Sequence, residues 1–495
     1  MITYDLSLRT GEPKYTYLYR CIRDDIRSGV LLRGTRLPSK RALADHLSVS
    51  VSTVEHAYDL LVSEGYALAR PGSGFFVSRG VDERSAQPSE DQVQKSHALD
   101  DAESHGESTD SSEDEDSLID FKANKCSMHL FPADTWARIM RRQLSEESPV
   151  LFETVPYNGL RVLRTAIASY LLEFRGIKAS PDNIIVGAGT EYLYGRLLQL
   201  FGRNVAIAIG DPGYKKLADV SRSFGTMWDY IPTDDEGMLV DELENSPADL
   251  VHVSPANHFP MGVVMSAARR SQLLDWVRQS SKRYIIEDDY DSELRFGNRT
   301  FPPLFTRDET NSVIYLNTFS KTMVPSIRIA YMILPDSLMN LYEQQLSFYS
   351  CTVSSFEQCA LAEFITGGYF ERHINRLRRY YGKQRTAIVE AIQNSDLMEV
   401  SDPHTVEVGT HLLLDVRTRL SDTQIRNAAR ERGMNLAMLS DYSMHPTLRD
   451  NQCVVINFAS IEPGQIQRAV DLLTDVFADD IKRARDLNAR IEKPY

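Results

Sequence analysis

Cysteine is scarce, with five in 495 residues. Cys21, Cys126, Cys351, Cys359 and Cys453 form no CxxC pair and stand near no histidine at metal-ligand spacing, so no disulfide scaffold and no metal site are expected. Free thiols in a reducing compartment fit this usage. No apolar run is long enough to cross a bilayer and nothing resembles a signal peptide, so a cytoplasmic location without a membrane partner is expected. Internal repeats are lacking too. Basic residues are outnumbered, 55 Lys and Arg against 69 Asp and Glu, and a net charge of −14 argues at first against a nucleic-acid partner.

The deficit of positive charge is local. Residues 1–80 carry 11 basic against 8 acidic side chains, whereas 81–117 carry 2 against 13. The second stretch is nearly free of aromatics, rich in Ser, Asp and Glu, and has no sustained period. It cannot bury enough apolar area to offset its ordering entropy, and reads as a flexible acidic tether. Three parts follow: a mildly basic head (1–80), the linker (81–117) and a large body (118–495).

In the head, "YTYLYRCIRDDIRSG" spaces Leu18, Ile22 and Ile26 by fours and stops at Gly29, the pattern of an amphipathic helix. "LPSKRALADHLS" opens a second helix at Pro38 and Ser39, with Leu43 and Leu47 inward. A third starts at Ser50, with Val54, Ala57, Tyr58, Leu61 and Val62 inward, and ends at Gly65. "YALARPGSGFFVS" alternates, turns and alternates again, as a hairpin does. Three helices and a hairpin make a winged helix-turn-helix, whose third helix enters the DNA major groove. By pattern alone the head also suits a protein-interaction module.

The segment "RGTRLPSKRALADHLSVSVSTVEHAYDLLVSEGYALARPGSGFFV" resembles the DNA-binding domain of the GntR family over nearly its whole length. That resemblance implies operator contacts from Ser39, Lys40 and Arg41 on the second helix, from Ser50, Ser52 and Thr53 at the start of the third, and from Arg70, Ser73 and Gly74 in the wing. The family usually has arginine where this chain has Val51. An apolar side chain there can touch a thymine methyl but cannot grip guanine, so a different operator sequence is expected.

In the body, "DNIIVGAG", "NVAIAIGDPG", "DLVHVSPA", "RYIIEDDY" and "NSVIYLNTFS" are short apolar runs separated by helix-length stretches. This rhythm predicts an α/β fold with a parallel sheet, whose ligands gather at the carboxyl ends of its strands. Polar residues stand at those ends. Ala188, Gly189 and Thr190 occupy a strand-to-helix turn that suits a phosphate. Tyr214 offers an aromatic face, Asp288 and Tyr290 follow a buried strand, and "TFSK" brings Ser320 and Lys321, with Arg328 seven residues on.

Each element alone is weak, since most Gly-rich turns merely close loops. Together they describe the needs of pyridoxal 5'-phosphate (PLP). Lys321 supplies the amine for a Schiff base, Asp288 the carboxylate for the pyridine nitrogen, Tyr290 a hydrogen bond to the ring oxygen and Tyr214 a stacking face. The helix start, Ser320 and Arg328 would hold the phosphate.

Residues 119–475 resemble a fold-type I, class I and II aminotransferase. "IDF", "LFPADTWARIM", "DPGY", "YIIEDDYDSE" and "TFSKTMVPSIRIAYMILP" are similar to that domain in MocR-type, GabR-like members of the GntR family. The resemblance implies an N-terminal winged helix-turn-helix plus a PLP-dependent transferase domain. It also implies a transcription factor rather than an enzyme, with room for residual or half-transamination, and a homodimer, head to tail. Its partners would be double-stranded operator DNA and a small effector, PLP or an amino compound. The alternative is a working aminotransferase with an accessory DNA-binding head.

Three departures bear on the ligand. Asn257 and His258 stand where the family has His and Gln, and Asn257 remains a candidate beside the ring oxygen. Glu191 replaces the subgroup's usual Gln and adds an anion near the phosphate site, either facing it or simply pointing away. Asn451 and Val455 occupy places where an arginine usually clamps the substrate carboxylate, with Arg449 and Lys216 as possible substitutes. Losing that clamp removes a contact worth about 1.5–3 kcal/mol, which argues against efficient transamination and GABA sensing.

Overall fold

The structure is a computed structural model that describes residues 4, 14–27, 30–32, 34–47, 49–63, 66–70, 74–77, 119–122, 129–145, 149–296, 302–404, 408–444 and 451–491. The expected linker 81–117 lies outside these residues, as do Gly29, Gly65, Ser73, Cys126 and Arg449. Two compact units arise, Met1–Glu107 and Ser108–Tyr495.

The first unit contains helices α1 (Lys14–Arg27), α2 (Lys40–Leu47) and α3 (Val51–Ser63), then strands β1 (Ala67–Arg70) and β2 (Gly74–Val77). The strands pair antiparallel, Ala67 opposite Val77 and Arg70 opposite Gly74. Leu18 and Ile22 of α1 pack with Leu43 of α2 and Val54, Tyr58 and Leu61 of α3, all fully buried. The Tyr58 hydroxyl donates to the Pro38 carbonyl at 2.9 Å, which satisfies the one polar atom of this aromatic anchor. Ile26, Leu47 and Val62, expected inward, sit only partly buried at the rim of the core. The third helix begins at Val51, one residue later than expected, because the Ser50 side chain accepts from the Thr53 amide at 3.2 Å and caps it.

The second unit opens with β3 (Ile119–Asp120), α4 (Ala133–Ser145) and α5 (Arg161–Arg175). Its main sheet is built from β4 (Ile184–Gly187), β5 (Ala206–Asp211), β6 (Met227–Asp234), β7 (Gly237–Met238), β8 (Leu250–Val253), β9 (Tyr284–Asp288), β10 (Val313–Thr318) and β11 (Ala330–Ile333). The spatial order is β4-β11-β10-β9-β8-β5-β6-β7. Helices α6 (Thr190–Phe201) and α7 (Lys215–Ser223) follow β4 and β5. Strands β4, β5, β8, β10 and β11 are buried throughout, as expected of a sheet covered on both faces.

The five runs read from the sequence form β4, β5, β8, β9 and β10, which share one direction as expected, while two strands not read from it run the other way. Strand β11 runs antiparallel to both β10 and β4, and β7 folds back on β6. A parallel return from β10 would need a crossover, usually a helix, whereas only the single-turn helix Pro325–Ile327 lies between β10 and β11. The carboxyl ends of β4, β5, β8, β9 and β10 still open on one edge, because β4 and β10 each oppose β11.

A smaller antiparallel sheet joins β12 (Ser401–His404), β13 (His411–Val416), β15 (Ala437–Met438) and β16 (Cys453–Asn457) in the order β12-β13-β16-β15. Strand β14 (Met434–Asn435) pairs parallel with β3, which fixes Phe121 and Lys122 beside this sheet. The 25-residue helix Tyr369–Gln393 packs into the same core through Phe370, Ile374, Leu377 and Tyr381.

Candidate functional site

At the end of β4 the chain turns at Gly189, whose φ of 95° favours glycine. A Cβ there would come within 2.4 Å of the Arg328 guanidinium, so the missing side chain lets the arginine reach the start of α6. The expected phosphate cradle of Ala188, Gly189 and Thr190 narrows here. The Ala188 amide donates to the Thr352 hydroxyl at 3.2 Å and the Gly189 amide to the Gly187 carbonyl at 2.8 Å. The donors left for an anion are those of the first turn of α6, from Thr190 onward, which have no intrahelical acceptor.

Strand β5 ends in the DPGY turn, where Asp211 is buried and accepts from the Met444 amide at 2.9 Å and the Ser443 hydroxyl at 3.2 Å. This anchors Tyr214 at the edge of an aromatic group. Its ring meets Phe259 edge-on with centroids 6.3 Å apart, and Phe259 in turn meets Tyr442 at 4.9 Å and His411 at 5.2 Å.

Asp288 closes β9, and from β8 the imidazole of His252 faces it, Nε2 to Oδ2, at 3.5 Å. Sequence reasoning missed His252; its only signal was a single polar side chain inside the apolar run "DLVHV". Asn257 donates to the Tyr290 hydroxyl at 3.2 Å and to Asp291 Oδ2 at 3.3 Å, and the Tyr290 hydroxyl donates to the Asn257 carbonyl at 3.2 Å. Burial pushes the Tyr290 phenol well above its usual range and raises the Asp291 carboxyl, the latter opposed by the charge of Lys321. Lys321 lies with Nζ 6.0 Å from the Tyr290 ring centroid. His411, likewise missed, is pushed down to about 4 by burial and by Lys321; a neutral ring whose Nε2 donates to the Pro260 carbonyl at 3.0 Å fits this.

One cavity of about 340 Å³, within the size range of small-molecule sites, is bordered by these side chains except Asp211 and Asn257, and Ala188 and Gly189 also stand outside its lining. Thr190, Tyr214, Asp288, Tyr290, Ser320, Lys321 and Arg328 line it together with His252. Phe121, Lys122, Phe259, Tyr442 and Val455 also line it. Val455, at one expected arginine position, therefore does face the cavity. At the other, the Asn451 side chain accepts from the Cys453 amide at 3.3 Å.

Of the two directions open to Glu191, the structure shows the one that faces the site. Its carboxylate pairs with Arg328 at 3.2 Å and with Lys216 at 2.5 Å, and it lines the cavity. Arg328 is half-exposed rather than enclosed. Lys216 is engaged by Glu191, which raises the pKa of its amine.

Asp288 Oδ1, His252 Nε2 and Ser320 Oγ are buried and meet no hydrogen-bonding partner among the described residues. A buried polar atom left unpaired costs about 1–3 kcal/mol, so three around one cavity mark it as built for a polar ligand. The donor set fits PLP: an amine on Lys321, a carboxylate on Asp288 for a ring nitrogen, and a helix start with Arg328 and Ser320 for a phosphate. Among the described residues no cluster of His, Cys, Asp or Glu could hold a metal ion.

On the first unit, neither α2 nor α3 has an acidic residue in its first turn. Ser50 Oγ lies 2.9 Å from Ser52 Oγ and 2.8 Å from Thr53 Oγ1, which gathers three hydroxyls at the start of α3. Arg41 and Val51 are exposed. Lys40 pairs with Glu55 at 2.7 Å and lies 5.2 Å from the Phe75 ring centroid, so it ties α2 to α3 and the wing. Gly74 takes a φ of 98° beside the side chain of Arg36, a wing-flanking cation not singled out from sequence. The Arg70 backbone pairs with Gly74, while its side chain lies outside the description.

Fold and site together define a winged-helix domain joined to an aminotransferase-type α/β domain. The class I and II aminotransferase model matches residues 116–473 and the bacterial gntR regulatory model residues 14–77. The chain belongs to the class I and II aminotransferase family, in the MocR-type branch of the GntR regulators. It is 34% identical over 473 residues to the HTH-type transcriptional regulator YdeL of Bacillus subtilis, covering 95% of this chain and 98% of that one. It is 30% identical to the rhizopine catabolism regulatory protein MocR of Rhizobium meliloti, covering 94% of each chain. With the pyridoxine biosynthesis transcriptional regulator PdxR of Corynebacterium glutamicum it shares 28% identity over 88% of this chain and 91% of that one. Among solved structures, the multiple substrate aminotransferase of Thermococcus profundus has the same fold, with a TM-score of 0.67 and 24% identity over 74% of this chain and 93% of its own. No described helix is long and apolar enough to cross a membrane.

Proposed function

We propose that this chain is a cytoplasmic, PLP-dependent transcriptional regulator rather than a metabolic enzyme. Residues 1–80 bind operator DNA, 81–117 tether, and 118–495 hold PLP and respond to PLP or to an amino compound. The working unit is a homodimer, head to tail, because one winged-helix head makes too few contacts for tight specific binding and two tethered heads gain from effective concentration.

Bound in the cavity, PLP supplies an electrophilic aldehyde that can exchange one amine for another. Lys321 is the resident amine and Asp288 holds the ring nitrogen protonated, with His252 beside the carboxylate. Tyr290, oriented by Asn257, donates to the ring oxygen, and Tyr214 covers a ring face. Thr190, Ser320 and Arg328 receive the phosphate, with Ala188 and Gly189 shaping the turn. On the head, Arg41, Ser52 and Thr53 meet the DNA, Ser39 and Ser50 hold the helix starts, Lys40 fixes α2 against the wing, and Arg70, Ser73 and Gly74 form the wing contact.

The observation that carries the reading is the unpaired Asp288 Oδ1 in the same cavity as Lys321. An acid and an amine at these strand ends, with no partner among the described residues for the acid's free oxygen, are what a pyridine aldehyde requires. The test compares operator binding by apo protein, PLP-loaded protein, and PLP-loaded protein with GABA. Binding that changes between apo and loaded forms supports the reading. Binding that responds to GABA alone, with apo and PLP forms indistinguishable, overturns PLP as effector.

The enzyme alternative draws on the same intact cofactor set. Against it stands Val455 in the cavity wall, an apolar side chain that cannot clamp a carboxylate. Sustained turnover with an amino donor and a keto acid would favour it.

A further inference from the structure

The start of α6 offers a positive field to any anion, through its unpaired amides and its dipole. In this chain the field already has an internal occupant. Glu191, second residue of α6, turns its carboxylate onto Arg328, Oε2 to Nη2 at 3.2 Å, and onto Lys216, Oε1 to Nζ at 2.5 Å. Both cations that could serve a phosphate are thereby drawn to one side chain of the protein itself. Arg328 is held for this contact: its backbone takes the left-handed region at φ 47°, and Gly189 leaves open the space its guanidinium fills.

We propose that Glu191 is a competing anion that lowers the affinity of the cavity for the phosphate of PLP, so that occupancy follows the concentration of free PLP instead of being permanent. The inference rests on the PLP reading of the site and adds its regulation. A phosphate entering beside Thr190 has to share or displace the Glu191–Arg328 pair and then lies near a like charge. Glu191 is 33% and Arg328 48% exposed, so solvent screens the competition and the penalty stays moderate. A moderate penalty suits a sensor, since it shifts the half-saturation point without abolishing binding. An uncharged residue at this position would leave Arg328 and Lys216 free to face the phosphate.

The charge argument applies only to ligands carrying the phosphate, which separates it from any general loosening of the cavity. Apo wild type and the Glu191→Gln variant are titrated with PLP and, in parallel, with pyridoxal, following cofactor absorbance. Gln keeps the length of the side chain, and Glu191→Ala guards against a new contact made by the amide. Both substitutions should tighten PLP binding about three- to tenfold and leave pyridoxal binding unchanged. Equal PLP affinity in wild type and both variants overturns the inference while leaving the site reading intact, and so does an equal gain for pyridoxal. Failure of wild type and variants alike to take up PLP overturns the site reading and this inference with it.

Discussion

His252 Nε2 and Asp288 Oδ2 face each other across adjacent strands β8 and β9 at 3.5 Å, and the other Asp288 oxygen has no partner among the described residues. A buried carboxylate with an imidazole beside one oxygen and no bonded partner on the other is preorganised for a cationic donor at its free oxygen.

From this relationship, Asp288→Asn should weaken PLP retention while the apo protein stays folded. The lost charge-assisted contact is worth about 1.5–3 kcal/mol, a drop of about 10- to 150-fold in affinity. Apo thermal stability should not fall, because the substitution removes a buried charge with no strong partner. Cofactor titration and a melting scan read the two effects. Unchanged PLP affinity would show that the carboxylate does not meet the ring.

Lys321 should be the residue that PLP modifies. Borohydride treatment of the PLP-loaded protein followed by peptide mapping should recover a pyridoxyl label on the peptide containing "TFSK", and none from Lys321→Ala. A label on Lys122 or Lys216 instead would reassign the resident amine.

For the head, Arg41→Ala should reduce operator affinity and lower the steepness of its salt dependence by about one unit, as expected for one phosphate contact. Thr53→Ala should cost about 1 kcal/mol or more on the operator without altering the salt slope or PLP content. Ser50→Ala removes the cap of α3 and should destabilise that helix by about 1 kcal/mol, visible as faster amide exchange in α3. If all three bind operator like wild type at one ionic strength, α2 and α3 are not the reading elements.

The body should show a pH signature from Glu293. Burial pushes its carboxyl up to about 7, while Tyr170 and Asn317 donate to Oε1 at 3.2 and 3.3 Å. Because the folded pKa exceeds the ordinary glutamate value of 4.5, the folded state binds the extra proton. This contribution is fully present below pH 4.5 and is lost as pH rises through about 7. Glu293→Gln should therefore flatten the fall in stability between pH 5 and 7.5. Denaturation followed by tryptophan fluorescence reports the body alone, since all three tryptophans (Trp136, Trp228 and Trp276) lie there. A wild-type and variant pair with parallel pH profiles would contradict the raised pKa.

Much of this protein was legible in the sequence because local signals and global fold agree. The fourfold spacing of Leu18 and Ile22, the Ser-capped α3 and the strand-end runs around Gly189, Asp288 and Lys321 are statements about neighbours along the chain, and helix and strand periods make such neighbours readable. Lys321 and Arg328 could be read as a pair because both lie on the one connection between β10 and β11.

Tertiary structure alone decided the partners that arrive from elsewhere. His252 meets Asp288 because β8 and β9 are adjacent in the sheet, and the spacing of 36 residues between them has no period to reveal it. The antiparallel turn of β11 depends on a connection too short for a crossover. The direction of Glu191 stays open at the level of sequence, which gives a residue type and a helix position but no rotamer. Only the gap left at Gly189, which admits the Arg328 guanidinium, together with Lys216 in the first turn of the next helix, fixes where that carboxylate goes. The sequence by itself determined the elements and the chemical groups at their ends. Packing decided which of those groups touch, because contact follows sheet order and side-chain direction instead of distance along the chain.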